Sequence, residues 1–287
     1  MINTKTSIFT IKKTALVLDV DNTLTPPRQP IEQEMANILN RLRVPFLIAA
    51  GSHLPILKKQ FFEPLYQSSF RKTFDAFVSN GAIHYHCDYT NEMSIEMVSE
   101  FNIKEHLGES GYHFVINKLV ATLEREDYQL PNSITLVDEK IVDRGSMINF
   151  CPMGRKNQED ADATRNRENF VAFDEETHYR KKLIGHLNLE LSTLINTRQL
   201  KIAIGGQTSL DVGIIGEDKT KPLRVLLKNG FERIVFIGDA LFNNGNDAPI
   251  IDFIHAWPKD AHCPVEAIPT ASWHETMNII RQLQFVD

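Results

Sequence analysis

The chain has 287 residues, which is enough for one hydrophobic core together with an inserted module. Apolar residues make up 42% of it and charged residues 24%, as in ordinary soluble globular proteins. The formal net charge is −6, so the overall charge disfavours binding to nucleic acid or to an anionic membrane. An anionic substrate would therefore need a local cluster of Arg and Lys.

The cysteines and the apolar runs indicate the cellular compartment in which the protein works. The three cysteines are too few and too scattered for a disulfide framework or a zinc site, and they suit a reducing environment. The first residues lack the layout of a signal peptide, and no apolar run reaches the length needed to span a membrane. We therefore expect a cytoplasmic protein.

The first fifty residues predict a strand, a helix and a second strand. Residues 15–18 form a short apolar run typical of a strand buried on both faces of a parallel sheet. Apolar residues then recur at helical spacing over 31–42, and residues 44–50 give a second buried strand. This order indicates a right-handed βαβ unit.

The middle of the chain has a different pattern. Residues 89–212 contain longer amphipathic helices and alternating segments such as 133–150, which favour an antiparallel sheet covered by helices on one face. The polar stretch 156–169 predicts an exposed, mobile loop. A helix over 220–228 and a strand over 233–237 return to the first pattern. We predict a doubly wound α/β core (1–90 and 213–287) with an inserted α+β cap domain (91–212).

Two carboxylates follow the first predicted strand. Asp19 and Asp21 are two residues apart, so their side chains point the same way at the edge where open α/β sheets bind ligands. Asp19 can attack phosphorus as a nucleophile, and Asp21 can give a proton to the leaving oxygen and later take one from the acceptor. Taken alone, the pattern fits two turn-forming residues equally well.

A second group of polar residues follows other strand ends. Asp239 comes directly after the strand over 233–237, and Asp247 closes the Gly/Asn-rich loop behind it. Converging carboxylates repel each other unless a cation lies among them, and hard oxygen ligands favour Mg²⁺. Ser52 follows the second strand and can hold a phosphoryl group, while the ammonium of Lys219 can offset the negative charge.

These motifs resemble those of a known superfamily. D-V-D-N-T (19–23), A-G-S (50–52), Lys219 and G-D…G-N-D (238–247) resemble, in order, the four motifs of haloacid dehalogenase-like (HAD) phosphotransferases. Longer segments, such as 19–29, 144–155 and 204–212, are similar to the eukaryotic phosphomannomutases. Asn22 stands where that family has Gly.

The resemblance implies a Rossmann-like HAD core with an α+β cap, and a homodimer formed through the cap. It implies interconversion of hexose (mannose) 6-phosphate and hexose 1-phosphate through an aspartyl-phosphate and a bisphosphate, with Asp19 as nucleophile and Asp21 as acid and base. Mg²⁺ would be held by Asp19, Asp21, Asp239, Asn246 and Asp247. Guanidinium groups suit phosphate because their donors are forked, and the implied substrate ligands are Arg28, Arg144, Arg155, Arg167, Ser209 and Asp211.

Two alternatives remain open from the sequence. A sugar-phosphate phosphatase would use the same nucleophile but pass the phosphoryl group to water. A catalytically inactive sugar-phosphate-binding protein is a further possibility, although the presence of both Asp19 and Asp21 argues against it.

Overall fold

The computed structural model describes residues 13–155, 161–242, 245–258 and 261–286. The chain divides into two compact units. The core unit comprises Met1–Val98, Lys219–Leu241 and Asp247–Asp287, and the inserted unit comprises Ser99–Asp218 and Phe242–Asn246. The first limit lies beyond the predicted residue 90 because the strand Ser94–Glu100 belongs to the core sheet. The second lies beyond residue 213 because the strand Ser209–Ile214 belongs to the sheet of the inserted unit.

The described residues form strands and helices that alternate in the core and segregate in the insertion. The strands are β1 (Thr14–Leu18), β2 (Phe46–Ala49), β3 (Thr73–Val78), β4 (Ile83–Asp88), β5 (Ser94–Glu100), β6 (Ile141–Asp143), β7 (Ile148–Phe150), β8 (Leu200–Gly205), β9 (Ser209–Ile214), β10 (Arg233–Gly238) and β11 (Val265–Pro269). The helices are α1 (Gln33–Arg41), α2 (Leu54–Leu57), α3 (Glu63–Gln67), α4 (Ile103–Glu124), α5 (Ala161–Thr177), α6 (Tyr179–Glu190), α7 (Ser192–Arg198), α8 (Lys221–Lys228), α9 (Ala248–Ala256) and α10 (Trp273–Gln282).

The core unit is built on a seven-stranded sheet with the order β11-β10-β1-β2-β3-β4-β5. Strands β11, β10, β1, β2 and β3 run parallel, and β4 returns antiparallel to β3. All five residues of β1 are buried, as its apolar run predicts. Apolar residues of α1 pack into the same core as the sheet. The predicted doubly wound, mainly parallel core is confirmed.

The inserted unit has its own sheet and its own core. Its four strands have the order β6-β7-β9-β8, and every pair is antiparallel. Apolar residues of α4, α5, α6 and this sheet, such as Val115, Phe170, Leu187 and Phe150, are fully buried together. The predicted α+β architecture of the insertion is confirmed.

The polar stretch 156–169 is not one exposed loop. Residues 156–160 lie outside the described residues, but 161–169 form the first part of helix α5. Asn166 exchanges two hydrogen bonds with the main chain of Thr135, and Asn169 donates to the carbonyl of Ser133. The sequence prediction was wrong here because these polar side chains bind a neighbouring segment, while Phe170 anchors the helix in the core. Among the described helices, none is long and apolar enough to cross a membrane.

Candidate active site

Three of the predicted site residues follow neighbouring parallel strands. Leu18, the last residue of β1, is level with Ile48 of β2 and Ile237 of β10. Asp19, Ser52 and Asp239 come shortly after these three positions, and therefore lie at the same edge of the sheet. The backbone N–H of Asp19 continues the ladder by donating to the carbonyl of Ile237 at 3.0 Å.

Lys219 joins two carboxylates inside the core unit. Its Nζ lies 2.5 Å from Oδ1 of Asp19 and 2.5 Å from Oδ1 of Asp247. All three residues are at most 2% exposed. Burial raises the pKa of Asp19 to about 7, although the charge of Lys219 opposes the shift and those of Asp247 and Asp239 add to it. The two carboxylates raise the pKa of Lys219 in spite of its burial, so this lysine is a fixed positive charge at the site.

The carboxylates of Asp19, Asp239 and Asp247 form a group that suits a metal ion. One oxygen from each lies within 4.8 Å of the others, and Oδ2 of Asp19 is buried without a hydrogen-bond partner. Three carboxylates and one ammonium leave a net charge of −2 when all are ionised, which a divalent cation would balance. The donor set therefore fits a hard divalent ion. Asn246, another of the five predicted ligands, is exposed and groups with the inserted unit.

Gly238 makes room for this group. A Cβ atom at this position would collide with Oδ2 of Asp247 and lie 2.6 Å from Cε1 of Phe236. The same Oδ2 accepts a hydrogen bond from the backbone N–H of Ala240 at 3.2 Å. The glycine that ends β10 thus allows the carboxylate of Asp247 to lie against the strand. Asn243 and Asn244, in the loop between these residues, lie outside the described residues.

Asp21 is not one of the three carboxylates that group within 4.8 Å of one another. Its Oδ1 accepts hydrogen bonds from Nε2 of Gln60 at 2.6 Å and from the backbone N–H of Arg28 at 3.0 Å. Sequence reasoning missed Gln60. The sequence gives no signal for it, because Gln60 directly follows Lys58 and Lys59 and looks like one more polar residue of that stretch.

Asn22, which follows Asp21, has a backbone conformation that explains why Asn can stand at this position. Its φ of 58° lies in the left-handed region, which favours Gly but which Asn tolerates. Its Nδ2 donates to Oδ2 of Asp239 at 3.3 Å and to the carbonyl of Ala271 at 3.2 Å. The replacement of Gly therefore fits the turn and adds a donor to one of the candidate metal ligands.

The predicted sugar ligands Ser209 and Asp211 are joined by a residue that the sequence analysis missed. Asn149 of β7 pairs in register with Asp211 of β9. Its Nδ2 donates to Oγ of Ser209 at 3.0 Å and to Oδ1 of Asp211 at 2.6 Å. A Cβ atom at Gly205 would lie 2.6 Å from the carboxyl of Asp211, so this glycine leaves space for it. One hydrogen-bonded row on the sheet thus holds both predicted ligands.

The predicted arginines differ in their local surroundings. Partial desolvation and the charge of Arg155 lower the pKa of Arg144, and Asp211 opposes the shift, so these three groups are neighbours. Nε of Arg155 is buried without a hydrogen-bond partner. Arg167, on α5, instead lines a cavity of about 220 Å³ that includes Gln207. Arg28 is exposed and belongs to the core unit, where its backbone contacts Asp21.

Comparison with known proteins identifies the family. The family model described as "Eukaryotic phosphomannomutase" matches residues 34–267. The chain belongs to this family. Phosphomannomutase 2 of Dictyostelium discoideum is 33% identical over 242 residues, covering 83% of this chain and 87% of the relative. The phosphomannomutase of Saccharomyces cerevisiae is also 33% identical over 242 residues, covering 83% and 85%. The resemblance seen in the motifs is confirmed.

A solved structure extends the comparison to the fold. The chain aligns with an N-terminally truncated, IMP-bound IMP-nucleotidase of Plasmodium falciparum with a TM-score of 0.58 and 13% identity, covering 96% of this chain and 69% of that one. At this identity the likeness concerns the fold alone. The phosphomannomutase family match begins at residue 34, so the roles of Asp19 and Asp21 depend on the site itself.

Proposed function

We propose that this phosphomannomutase family member interconverts mannose 6-phosphate and mannose 1-phosphate through an aspartyl-phosphate and a hexose bisphosphate. The observation that carries the proposal is the buried Asp19–Lys219–Asp247 group, which lies at the sheet edge where such enzymes perform their chemistry. Two buried carboxylates held by one buried ammonium are costly in a protein without a function for them.

Asp19 is the proposed nucleophile. Its carboxylate oxygen forms a bond to phosphorus while the bond from phosphorus to the sugar oxygen breaks, and Asp21 gives its proton to that oxygen. In the second half, Asp21 takes the proton from the accepting hydroxyl, which attacks the aspartyl-phosphate. Lys219 and Ser52 stabilise the transferring group, the first by its charge and the second by a hydrogen bond.

Mg²⁺ is the proposed metal, held by Asp19, Asp239 and Asp247, with Asp21 and Asn246 as further ligands from the motif. When bound, it neutralises charge on the phosphoryl oxygens. The support is the net charge of −2 in a cluster whose oxygens lie within 4.8 Å of one another. Asn22 would help to hold Asp239 ready for the ion through its 3.3 Å hydrogen bond.

The inserted unit would supply recognition of the sugar phosphate. A mutase must hold its substrate by the phosphate that does not react, and forked guanidinium donors suit that task. The neighbouring Arg144 and Arg155, with the unpaired buried Nε of Arg155, support this role. Ser209 and Asp211 would bind sugar hydroxyls, while Arg167 and Arg28 complete the proposed set.

Two further expectations belong to the same proposal. A homodimer formed through the inserted unit follows from the family resemblance. A cytoplasmic location agrees with the three cysteines, which are free and buried. Size-exclusion chromatography with light scattering tests the first of these expectations.

A ³¹P NMR time course tests the activity. The protein is mixed with mannose 1-phosphate, Mg²⁺ and a catalytic amount of hexose 1,6-bisphosphate, with the Asp19→Asn variant as the control. We expect a mannose 6-phosphate signal to grow without inorganic phosphate. Growth of inorganic phosphate alone would instead identify a phosphatase, and no change in either signal would contradict the proposal.

A further inference from the structure

Gln60 is buried in an unusual backbone segment of the core unit. It lies in a π-helical turn, Lys58–Phe62, between α2 and α3. Such turns insert one residue into a helix and are frequent at functional sites. Gln60 is 3% exposed, and its neighbours Phe61 and Phe62 are fully buried. A buried amide in apolar surroundings is costly unless it is hydrogen-bonded, so its partners indicate its purpose.

Three hydrogen bonds join Gln60 to one loop. Its Nε2 donates to Oδ1 of Asp21 at 2.6 Å and to Oγ1 of Thr25 at 2.8 Å, which engages both amide protons. The backbone carbonyl of Gln60 accepts a hydrogen bond from the backbone N–H of Ile31 at 2.9 Å. Thr25 is fully buried and donates in turn to the carbonyl of Val20. Gln60 therefore fixes the loop that follows β1 at both ends.

The contacts with Asp21 fall on one side of its carboxylate. Gln60 and the backbone N–H of Arg28 both donate to Oδ1. A carboxylate that exchanges a proton with a sugar oxygen must point towards that oxygen, because a proton transfers only over hydrogen-bond distance. An arrangement that anchors Oδ1 leaves Oδ2 as the oxygen that faces the reacting group.

We propose that Gln60 is a positioning residue that anchors Oδ1 of Asp21, so that Oδ2 exchanges the proton with the sugar oxygen. The proposal rests on the proposed function, because it concerns the proton transfers of that reaction. In the first, the phosphorus–sugar oxygen bond breaks as Asp19 bonds to phosphorus, and the proton of Asp21 goes to the sugar oxygen. Gln60 exchanges no proton itself.

Leaving-group dependence separates this role from a structural one. A sugar alkoxide leaves only with a proton from Asp21, whereas 4-nitrophenolate leaves as a stable anion. The first turnover is followed with enzyme in excess by rapid mixing, so that only transfer to Asp19 is observed. Mannose 1-phosphate and 4-nitrophenyl phosphate are compared in Gln60→Met, which keeps the side-chain volume and the bond from Ile31. Gln60→Asn, which withdraws the amide by one methylene, provides a second variant.

Thr25→Val is the matched control, because it removes the other partner of the same amide but leaves the bond to Asp21. In both Gln60 variants we expect the rate with mannose 1-phosphate to fall on the order of 10- to 100-fold, with the half-saturating concentration and the aryl phosphate rate within about threefold of wild type. Thr25→Val should lower the melting temperature while keeping the wild-type ratio of the two rates.

Either of two results would overturn the assignment of Gln60. One is an equal fall for both substrates, which would mean that the residue acts through the fold or through Asp19. The other is an unchanged rate for both. Failure of the proposed function looks different: wild-type protein would leave mannose 1-phosphate untouched while transferring phosphoryl groups from another alkyl phosphate, with which the same comparison then decides the role of Gln60.

Discussion

Removal of the ammonium of Lys219 should destabilise the metal-free protein severely. Lys219 is 1% exposed, and its Nζ contacts two carboxylates that are themselves at most 2% exposed. Breaking a buried ion pair by deleting one partner costs about 3–5 kcal/mol, since the other charge stays buried. We expect Lys219→Met to lower the free energy of unfolding by about that amount near neutral pH, although Met fills a similar volume.

The difference in unfolding free energy between wild type and Lys219→Met should also grow as the pH rises above 7. A carboxyl group whose pKa is raised in the folded state stabilises the protein fully at pH values below its unfolded-state pKa. This stabilisation is lost as the pH rises from the unfolded-state pKa to the folded-state pKa. For Asp19 that window runs from 3.8 to about 7 in the wild type. Without Lys219 the pKa of Asp19 rises further, so the variant continues to lose stability above pH 7 where the wild type no longer does. Each pH unit there adds about 1.4 kcal/mol.

Urea unfolding in EDTA, at about pH 6 and about pH 8, measures both quantities. Lys181→Met, at an exposed position of α6, is the matched control and should change the unfolding free energy by no more than about 0.5 kcal/mol. A loss below about 1 kcal/mol in Lys219→Met, or a deficit equal at the two pH values, would refute the buried ion-pair reasoning.

Three further substitutions test other parts of the site. Asp19→Asn should reduce phosphoryl transfer to the detection limit in the ³¹P assay, and substantial residual turnover would exclude it as the nucleophile. Gly238→Ala should cost about 1–3 kcal/mol in urea unfolding and weaken stabilisation by Mg²⁺, because its Cβ meets the carboxylate of Asp247. Arg144→Ala should raise the KM for mannose 1-phosphate about tenfold or more, with little change in the KM for 4-nitrophenyl phosphate. Arg125→Ala, at an exposed position, is the control. If both variants have the same KM for mannose 1-phosphate, Arg144 does not belong to the substrate site.

The core of the fold could be predicted from sequence because its signals are local. The apolar run of β1 and the helical spacing of α1 each lie within a dozen residues, and their order alone restricts the topology. The short strands β6 and β7, three residues each, carry too little alternation to mark their ends. The first part of helix α5 was mistaken for loop because the partners of its polar residues lie about thirty positions away in the sequence.

The same distinction explains which site residues were found. Asp19 and Asp239 follow strands, so a local pattern marks them, and the parallel registers of β1 and β10 bring them to one edge. Gln60 and Asn149 reach the predicted acids Asp21 and Asp211 across 39 and 62 positions of the sequence. A buried amide between two elements looks like any other polar residue until the elements are packed. Buried amides that bind a predicted acid are therefore identified from the structure and not from the motif. Their removal should change the orientation of the carboxylate while leaving the carboxylate itself in place.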